Sequence, residues 1–281
     1  MEALGRQTLA KNLFHVWIID NGSEPSLHDA QMQPLRQAEV TYSILPEPRL
    51  GNVFAREKAI TSTSGEWIVF VDDDNELADD YLASVMEIIA RTPQLGAFGG
   101  KLLLAGNICV PAWVVPLLAN LAIKDCGDQV ISSCAAYWGP WEPPTAGAAV
   151  NRRVLNAYLE KMKMGKGSDK LGRKGKKGLL SSEDSLMMRG AFNLGLYCAY
   201  QPRLKLKHHI EPRRFRFGYL VRLMYNYGRS HVILDRSLGH PVPRAKIKRA
   251  LKLMTRFPKS RLKICRLAWD WGYFFESRAD H

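Results

Sequence analysis

Residues 67–75 read Trp-Ile-Val-Phe-Val-Asp-Asp-Asp-Asn, an apolar run that ends in three adjacent carboxylates. Side chains alternate between the two faces of a strand, so we expect Asp72 and Asp74 on one side and Asp73 on the other. Adjacent like charges are unfavourable unless a cation lies among them, and Mg²⁺ or Mn²⁺ binds carboxylate and phosphate oxygens. The stretch therefore predicts a site for a metal and a diphosphate at the carboxyl end of a strand, where open α/β sheets bind ligands. The alternative interpretation is a solvated acidic loop that leads into a helix.

Four further motifs accompany this stretch along the chain. A strand pattern near residues 13–19 ends in a polar turn, a glycine opens a helix before the acidic strand, and two later segments carry a carboxylate pair and a histidine pair. The motifs are Asp20-Asn21-Gly22-Ser23, Gly51-Asn52-Val53-Phe54-Ala55-Arg56, Ser181-Ser182-Glu183-Asp184 and His208-His209-Ile210. Their order resembles the family 2 glycosyltransferases with a GT-A fold, and the resemblance covers residues 4 to 230.

The resemblance implies a binding site for a nucleotide-diphosphate sugar. In such a site Asp20 accepts hydrogen bonds from the base, Arg56 lies by the base or a phosphate, and Asp72 contacts the ribose. Asp73 is implied as a helper or an alternative metal ligand. The donor is expected to be a UDP or GDP sugar.

The resemblance also implies a metal ion and a catalytic base. Asp74 is expected to bind Mg²⁺ or Mn²⁺, and His208 is a further candidate ligand for the metal or a phosphate because it precedes Ile210 in a His-x-Ile pattern. Asp184 is expected to take the proton of the acceptor hydroxyl, with Glu183 orienting it. The alternatives are an ordinary core or surface role for His208 and a helix N-cap role for Asp184.

The segment from Tyr137 to Arg153 is rich in aromatic residues, proline and glycine. It resembles the family segment that lines the pocket for the acceptor and the donor sugar. Trp138 and Gly147 are therefore predicted to belong to the nucleotide-sugar site. Aromatic rings suit the faces of sugars, but they are also ordinary core material, and Trp141 is an equal candidate for a sugar contact.

Strands alternate with helices in the N-terminal part of the chain. The patterns predict helices at 2–10, 52–63 and 78–91 and strands at 14–19, 40–45, 66–71 and 96–104. This order predicts a Rossmann-like GT-A fold of the α/β class, a mostly parallel sheet flanked by helices with a C-terminal helical appendage. The family pattern begins with a strand and a Thr-Tyr-Asn-like turn before the first helix, and neither is found ahead of residue 2. We therefore expect either a truncated or start-site variant with an incomplete sheet, or a sheet that is completed in another way.

Two basic regions lie outside the motifs. Residues 161–178 carry eight basic residues and five glycines, which predicts either a solvated loop or a lid that brings positive charge to the site. Residues 244–275 are basic and aromatic, with Ile247, Leu251 and Met254 spaced for one helix face. Such a segment is typical of a helix on an anionic membrane surface or of a helix pair packed on the domain. We predict a GT-A domain at 1–235 and a basic amphipathic helical segment at 236–281.

Composition limits the partners of the chain. A net charge of +13 over 281 residues favours an anionic partner, and the absence of nucleic-acid-binding motifs argues against nucleic acid. Five scattered cysteines and no signal peptide predict a cytoplasmic protein. The basic and aromatic segment at residues 244–275 leaves open a peripheral position at the inner face of the cell membrane. The predicted function is metal-dependent, inverting sugar transfer to a saccharide or lipid-linked acceptor in surface polysaccharide synthesis. The alternative is a non-catalytic, membrane-peripheral binding protein with a degenerate GT-A fold.

Overall fold

The computed structural model describes residues 1–25, 27, 29–165, 168–175, 178–243 and 260–279. Within them the α-helices are α1 (Glu2–Gly5), α2 (Gln33–Gln37), α3 (Asn52–Ser62), α4 (Tyr81–Arg91), α5 (Arg152–Lys163), α6 (Glu183–Arg189), α7 (Phe217–Leu238) and α8 (Arg261–Arg278). The strands are β1 (Val16–Asp20), β2 (Tyr42–Pro46), β3 (Trp67–Val69), β4 (Asn75–Leu77), β5 (Leu95–Leu104), β6 (Ile131–Ser133), β7 (Ala149–Asn151) and β8 (Tyr197–His208). Short 3₁₀ helices lie at Lys11–Leu13, Asp29–Met32, Val115–Leu121, Ser168–Lys170, Phe192–Leu194 and Pro212–Phe215.

The predicted alternation of strands and helices is confirmed. Each element predicted between residues 14 and 104 is present, with ends that differ by no more than three residues. The first helix is shorter than predicted and ends at Gly5, because the residues after it bond to a different part of the chain. Thr8 donates its backbone N–H to the carbonyl of Asp79, and the Gln7 side chain donates to the carbonyl of Ala78.

The strands form two sheets, and the prediction of a mostly parallel sheet is wrong in this detail. β1 and β2 pair in parallel as a separate sheet. The larger sheet has the order β3-β7-β5-β8-β4, with β6 also paired to β8. Its only parallel pair among the described strands is β5 with β8, and the other pairs are antiparallel. The reason is that every antiparallel pair includes β7 or β8, which lie beyond the N-terminal region whose alternating pattern predicted the parallel sheet.

Helices cover both faces of the larger sheet. Neighbouring residues of one strand join different cores, as the pleat requires. Ala97 packs in a core with α5 and α6, while Phe98 packs in a core with α4. On β7, Val150 faces the first core and Ala149 the second. Both layers bury apolar side chains against the central strands. This packing holds β3 and β4 in place, and the acidic motif at residues 72–74 lies between these two strands.

Two long helices, α7 and α8, form a closely packed pair. A Cβ added at Gly272 would lie 1.9 Å from the Tyr225 carbonyl oxygen, and one at Gly228 would lie 2.0 Å from that of Trp269. The pair shares a core with the 3₁₀ segment Val115–Leu121, in which Cys265 is fully buried. The domain boundary predicted between residues 235 and 236 falls inside α7, and the predicted helix face at Ile247, Leu251 and Met254 lies outside the described residues.

Candidate active site

Asp74, the last residue of the acidic motif, directly precedes β4 and faces a histidine and an arginine. Its Oδ2 lies 3.3 Å from Nε2 of His208, which ends β8, and 3.6 Å from Nη2 of Arg214. Burial opposes ionisation of Asp74, but the hydrogen bond from His208 and the charges of His208 and Arg214 outweigh it, so the pKa of Asp74 lies below its usual value. The antiparallel pairing of β4 with β8, in which Asn75 is opposite His208, brings these two side chains together.

The donor set at this point suits a hard metal ion that keeps other oxygen ligands. Asp74 and His208 offer one oxygen and one nitrogen, and the buried Nδ1 of His208 has no hydrogen-bond partner among the described residues. No group of three His, Cys, Asp or Glu side chains that could hold a metal occurs in the described ranges. Mg²⁺ commonly binds one or two protein side chains and completes its shell with water and phosphate oxygens, so the two donors fit such an ion.

Asp72 and Asp73 directly precede Asp74 in the acidic motif. Asp72 retains 45% of its side-chain surface and lies 3.9 Å from Nη2 of Arg56. Desolvation raises the pKa of Asp72, and Asp74 and Asp73 add to the rise, while Arg56 opposes it. Asp73 is exposed. The predicted carboxylates therefore lie in different surroundings, with Asp74 beside His208 and Asp72 beside Arg56.

Arg56 joins the acidic strand end to the start of α6. Its side chain is 9% exposed, and its Nη1 donates to Oε1 of Glu183, which also accepts from Asn52 Nδ2 at 2.9 Å. Glu183 is itself buried. One guanidinium thus contacts Glu183 and approaches Asp72, two residues that are 111 positions apart in the chain.

Asp184 follows Glu183, and its pKa is strongly raised. Desolvation and the negative charge of Glu183 raise the pKa of Asp184 to about 7, with Arg56 opposing the shift. Its Oδ1 accepts the backbone N–H of Ser185, the next residue, at 2.9 Å. Ser182, in the N-cap position, has a left-handed backbone and makes no capping hydrogen bond with its side chain. A carboxyl group that titrates near neutrality is suited to take and release a proton.

Asp20 ends β1 and shapes the turn after it. Its Oδ1 accepts the backbone N–H of Ser23 at 3.0 Å, and this bond lowers the pKa of Asp20. Asn21, which sequence reasoning had not singled out as a site residue, connects the turn to α3. It donates to the carbonyls of Glu47 and Arg49 and accepts from the N–H of Gly51 at 2.8 Å.

Part of the basic segment lies against the start of α3. Leu171 is fully buried, so the segment is anchored in the core rather than wholly solvated. The N–H of Arg173 donates to Asn52 Oδ1 at 3.1 Å, and the N–H of Gly175 donates to the carbonyl of Leu50 at 2.8 Å. A Cβ at Gly51 would lie 2.4 Å from the Arg173 carbonyl oxygen, so only glycine allows this approach.

The two site residues predicted in the aromatic segment, Trp138 and Gly147, lie in different surroundings. Trp138 is 46% exposed and contacts His231 of α7 and Arg189 of α6. Gly147 instead lies in the interior, with φ +74°, and its carbonyl accepts the hydroxyl of Tyr81 at 2.6 Å. Trp141, the alternative sugar contact, is half-buried and packs against the core formed with α5 and α6.

A second buried ion pair lies near Asp184 and was not predicted from the sequence. Arg189 Nε donates to Glu142 Oε2 at 3.0 Å, and both side chains are almost fully buried. The charge of Glu142 contributes to the raised pKa of Asp184. Lys124 donates to the Glu142 carbonyl at 2.8 Å, and desolvation lowers the pKa of Lys124. The sequence offered one signal, an acidic residue inside the Trp-Glu-Pro-Pro run, but its partner lies 47 residues away.

Comparison with known proteins finds one matching family model and several solved structures of similar fold. The model of glycosyl transferase family 2 matches residues 1–102, and no curated protein matches the chain. The crystal structure of S. aureus TarS superimposes with a TM-score of 0.51 at 14% identity, over 88% of this chain and 41% of that one. The mannosyltransferase PcManGT from Pyrobaculum calidifontis, solved with GDP-Man and Mn²⁺, gives 0.50 at 16% identity, over 97% and 66%.

At these identities the likeness shows the fold, and the chain spans less than two thirds of the length of either protein. The larger sheet with helices on both faces agrees with that likeness. Residues 1–102 thus match the model of glycosyl transferase family 2, and the chain has a GT-A fold.

Proposed function

We propose that this chain is a metal-dependent, inverting glycosyltransferase. It moves a sugar from a nucleotide diphosphate to a saccharide or lipid-linked acceptor in surface polysaccharide synthesis. The observation that carries the proposal is the position of Asp184, whose pKa is about 7, beside a glutamate that shares Arg56 with the acidic strand end. A base with that pKa is half ionised at neutral pH, and this is the range in which general-base catalysis is most effective.

In this mechanism Asp184 accepts the proton of the attacking acceptor hydroxyl. Glu183 acts through Asp184, since its negative charge keeps the Asp184 pKa high, and Arg56 and Asn52 hold it in place. One base that activates the acceptor is sufficient for a single displacement, which inverts the sugar configuration. Inversion is therefore the outcome we propose.

On the donor side, Asp72 and Arg56 contact the nucleotide, and Asp20 accepts hydrogen bonds from its base. Asp73, Trp138 and Gly147 were predicted for the same nucleotide-sugar site. Of these, Asp73 is exposed and directly precedes Asp74, the proposed metal ligand. A likeness in fold to PcManGT, solved with GDP-Man and Mn²⁺, supports a nucleotide-sugar donor as the class of ligand.

Asp74 and His208, whose Oδ2 and Nε2 atoms lie 3.3 Å apart, are the residues that would hold Mg²⁺ or Mn²⁺. When bound, such an ion supplies positive charge that stabilises the leaving diphosphate. Arg214, 3.6 Å from Asp74, adds positive charge from the protein itself at the same place.

The proposal is tested by thermal unfolding with UDP or GDP in the presence and absence of Mn²⁺. At about 100 times Kd, a ligand stabilises the native state by about 2.7 kcal/mol, which raises Tm by several degrees. The metal-dependent rise should be lost in Asp74→Asn and kept in Glu76→Gln. Glu76 is a matched control because it forms a similar pair with His209, at 3.2 Å, on the exposed surface.

Transfer is measured in parallel as release of the nucleotide diphosphate from UDP and GDP sugars. Release that depends on Mn²⁺ and on Asp74 supports the proposed enzyme. Stabilisation by nucleotide with no release from any donor would instead favour the non-catalytic binding protein. No stabilisation and no release would contradict both.

A further inference from the structure

Trp138 is exposed but held in a fixed orientation. Its indole N–H donates to Nδ1 of His231 at 3.2 Å, and the two ring planes differ by only 16°. The guanidinium of Arg189 lies 5.0 Å from the centre of the ring, close enough for a cation–π contact. Since Arg189 is buried and paired with Glu142, the cation beneath the ring is itself fixed. An aromatic surface that is already ordered loses little conformational entropy when a ligand stacks on it.

The hydrogen bond defines the tautomer of His231. An indole nitrogen only donates, so Nδ1 of His231 must accept and carries no proton. The ring proton of the neutral histidine is then on Nε2, which lies 3.5 Å from Oδ2 of Asp235. Trp269 and Tyr273 of α8 complete the surroundings, with ring centres 5.6 and 6.1 Å from that of His231.

This aromatic arrangement lies beside the proposed base. Arg189 is on α6, the helix that begins with Glu183 and Asp184. Glu142 pairs with Arg189 and is close enough to Asp184 to raise its pKa. A molecule that rests on Trp138 therefore lies on the Asp184 side of the site, whereas the Asp74 and His208 pair lies at the ends of β4 and β8.

We propose that Trp138 is the platform on which the acceptor saccharide stacks and that His231 is the positioning residue that holds the indole for it. The proposal rests on the proposed function, and it assigns Trp138 to the acceptor rather than to the nucleotide sugar. Pyranose rings present apolar C–H faces, and a large aromatic ring buries such a face well. Tyr137, the residue before Trp138, is also exposed, and its ring packs edge-on against Trp141.

The arrangement makes saccharide binding depend on pH. Protonated His231 carries a hydrogen on Nδ1, which then faces the indole N–H with no acceptor between them. Asp235, on the same helix, favours the charged form, whereas Arg189 from α6 disfavours it, and Trp138, Trp269 and Tyr273 contribute no formal charge at neutral pH. Burial outweighs the attraction of Asp235 and lowers the pKa of His231. The platform is therefore ordered at neutral pH and is lost as the pH falls below the usual histidine range.

The first experiment measures binding of the full chain to an array of neutral and acidic oligosaccharides, without nucleotide or metal. At pH 7.5 we expect wild type to bind and Trp138→Ala to bind at least about tenfold more weakly, a loss of about 1.4 kcal/mol. Trp271→Ala is the matched control, since Trp271 is a half-buried tryptophan of α8 that packs on Phe274 and Phe275 instead. Equal binding by the Trp138 variant, or no binding by wild type, would overturn the proposal.

The second experiment separates the positioning role of His231 from a purely structural one. Glutamine offers a carbonyl oxygen that can accept the indole N–H but does not titrate. His231→Gln should bind at pH 7.5 within a few-fold of wild type and should not weaken at pH 5, whereas wild type should weaken. An equal pH dependence in both proteins would overturn the role of His231.

Failure of this inference can be told apart from failure of the proposed function. If nucleotide and Mn²⁺ stabilise the chain and transfer occurs, but Trp138→Ala leaves the acceptor KM unchanged, only the platform is wrong. If the saccharides bind through Trp138 and no nucleotide binds, the platform stands and the transferase proposal falls.

Discussion

At the scale of single residues, the proton-accepting role of Asp184 gives a prediction for activity. Asparagine has the same shape but cannot take a proton, so Asp184→Asn should lower turnover by about two to four orders of magnitude. Because the base acts in its ionised form, the wild-type rate should rise with pH through about 7, the pKa of Asp184. The rate is measured by donor hydrolysis, in which water replaces the saccharide and the pH dependence at Trp138 does not interfere. A fall of only a few-fold in the variant would contradict the role of Asp184 as base.

The same substitution should change stability in the opposite direction. Folding raises the pKa of Asp184 from 3.8 to about 7, so the native state disfavours its ionised form. The native state binds more protons than the unfolded state between these values, and stability falls as pH rises through about 7. Asp184→Asn, which carries no charge, should therefore be more stable than wild type at pH 8, with a smaller difference at pH 5. Urea unfolding at the two pH values measures this, and a less stable variant at pH 8 would show that the fold needs the ionised carboxylate.

At the scale of secondary-structure elements, the close contact of α7 with α8 depends on two glycines. Gly272→Ala would place a Cβ 1.9 Å from the Tyr225 carbonyl oxygen, so the helices must separate. We expect a loss of about 1–3 kcal/mol, the usual effect of overpacking. Gly218→Ala, on the partner helix α7, is the matched control, because it too is a helical glycine and an added Cβ there meets no atom within 4 Å. That control should be neutral or slightly stabilising, and equal losses in the two variants would exclude close packing as the cause.

The secondary-structure elements also show which features could be predicted from the sequence and which could not. Hydrophobic patterns and turn residues located α3, α4 and β5, because these signals lie within a few positions of each other. The antiparallel pairing of β4 with β8 was not predictable in this way, since Asn75 and His208 are 133 positions apart. The motif order still indicated that Asp74 and His208 belong to one site, and the structure brings them to 3.3 Å. The contacts of Trp138 with His231 and of Glu142 with Arg189 carry no local signal, because they join helices and loops that only packing brings together.

At the scale of the whole molecule, the charge of +13 and the surface of α8 bear on membrane association. No helix in the described part of the chain is long and apolar enough to cross a bilayer. On α8, Lys263 and Arg266 are exposed and form no ion pair with a described residue, and Phe275 is 54% exposed beside Trp271. Basic and aromatic side chains together favour the interface of an anionic membrane.

We therefore propose that the protein binds anionic membranes peripherally through α8. The full chain should sediment with vesicles that contain phosphatidylglycerol, less so at high salt, and not with neutral phosphatidylcholine vesicles. Replacing both Lys263 and Arg266 by Glu should reduce this binding at least tenfold, because each basic residue near the surface contributes about 1 kcal/mol. The control replaces Arg91 and Arg153, exposed residues on α4 and α5, by Glu, which changes the net charge equally. If both double variants lose binding to the same extent, the attraction comes from the overall charge and the assignment to α8 is wrong.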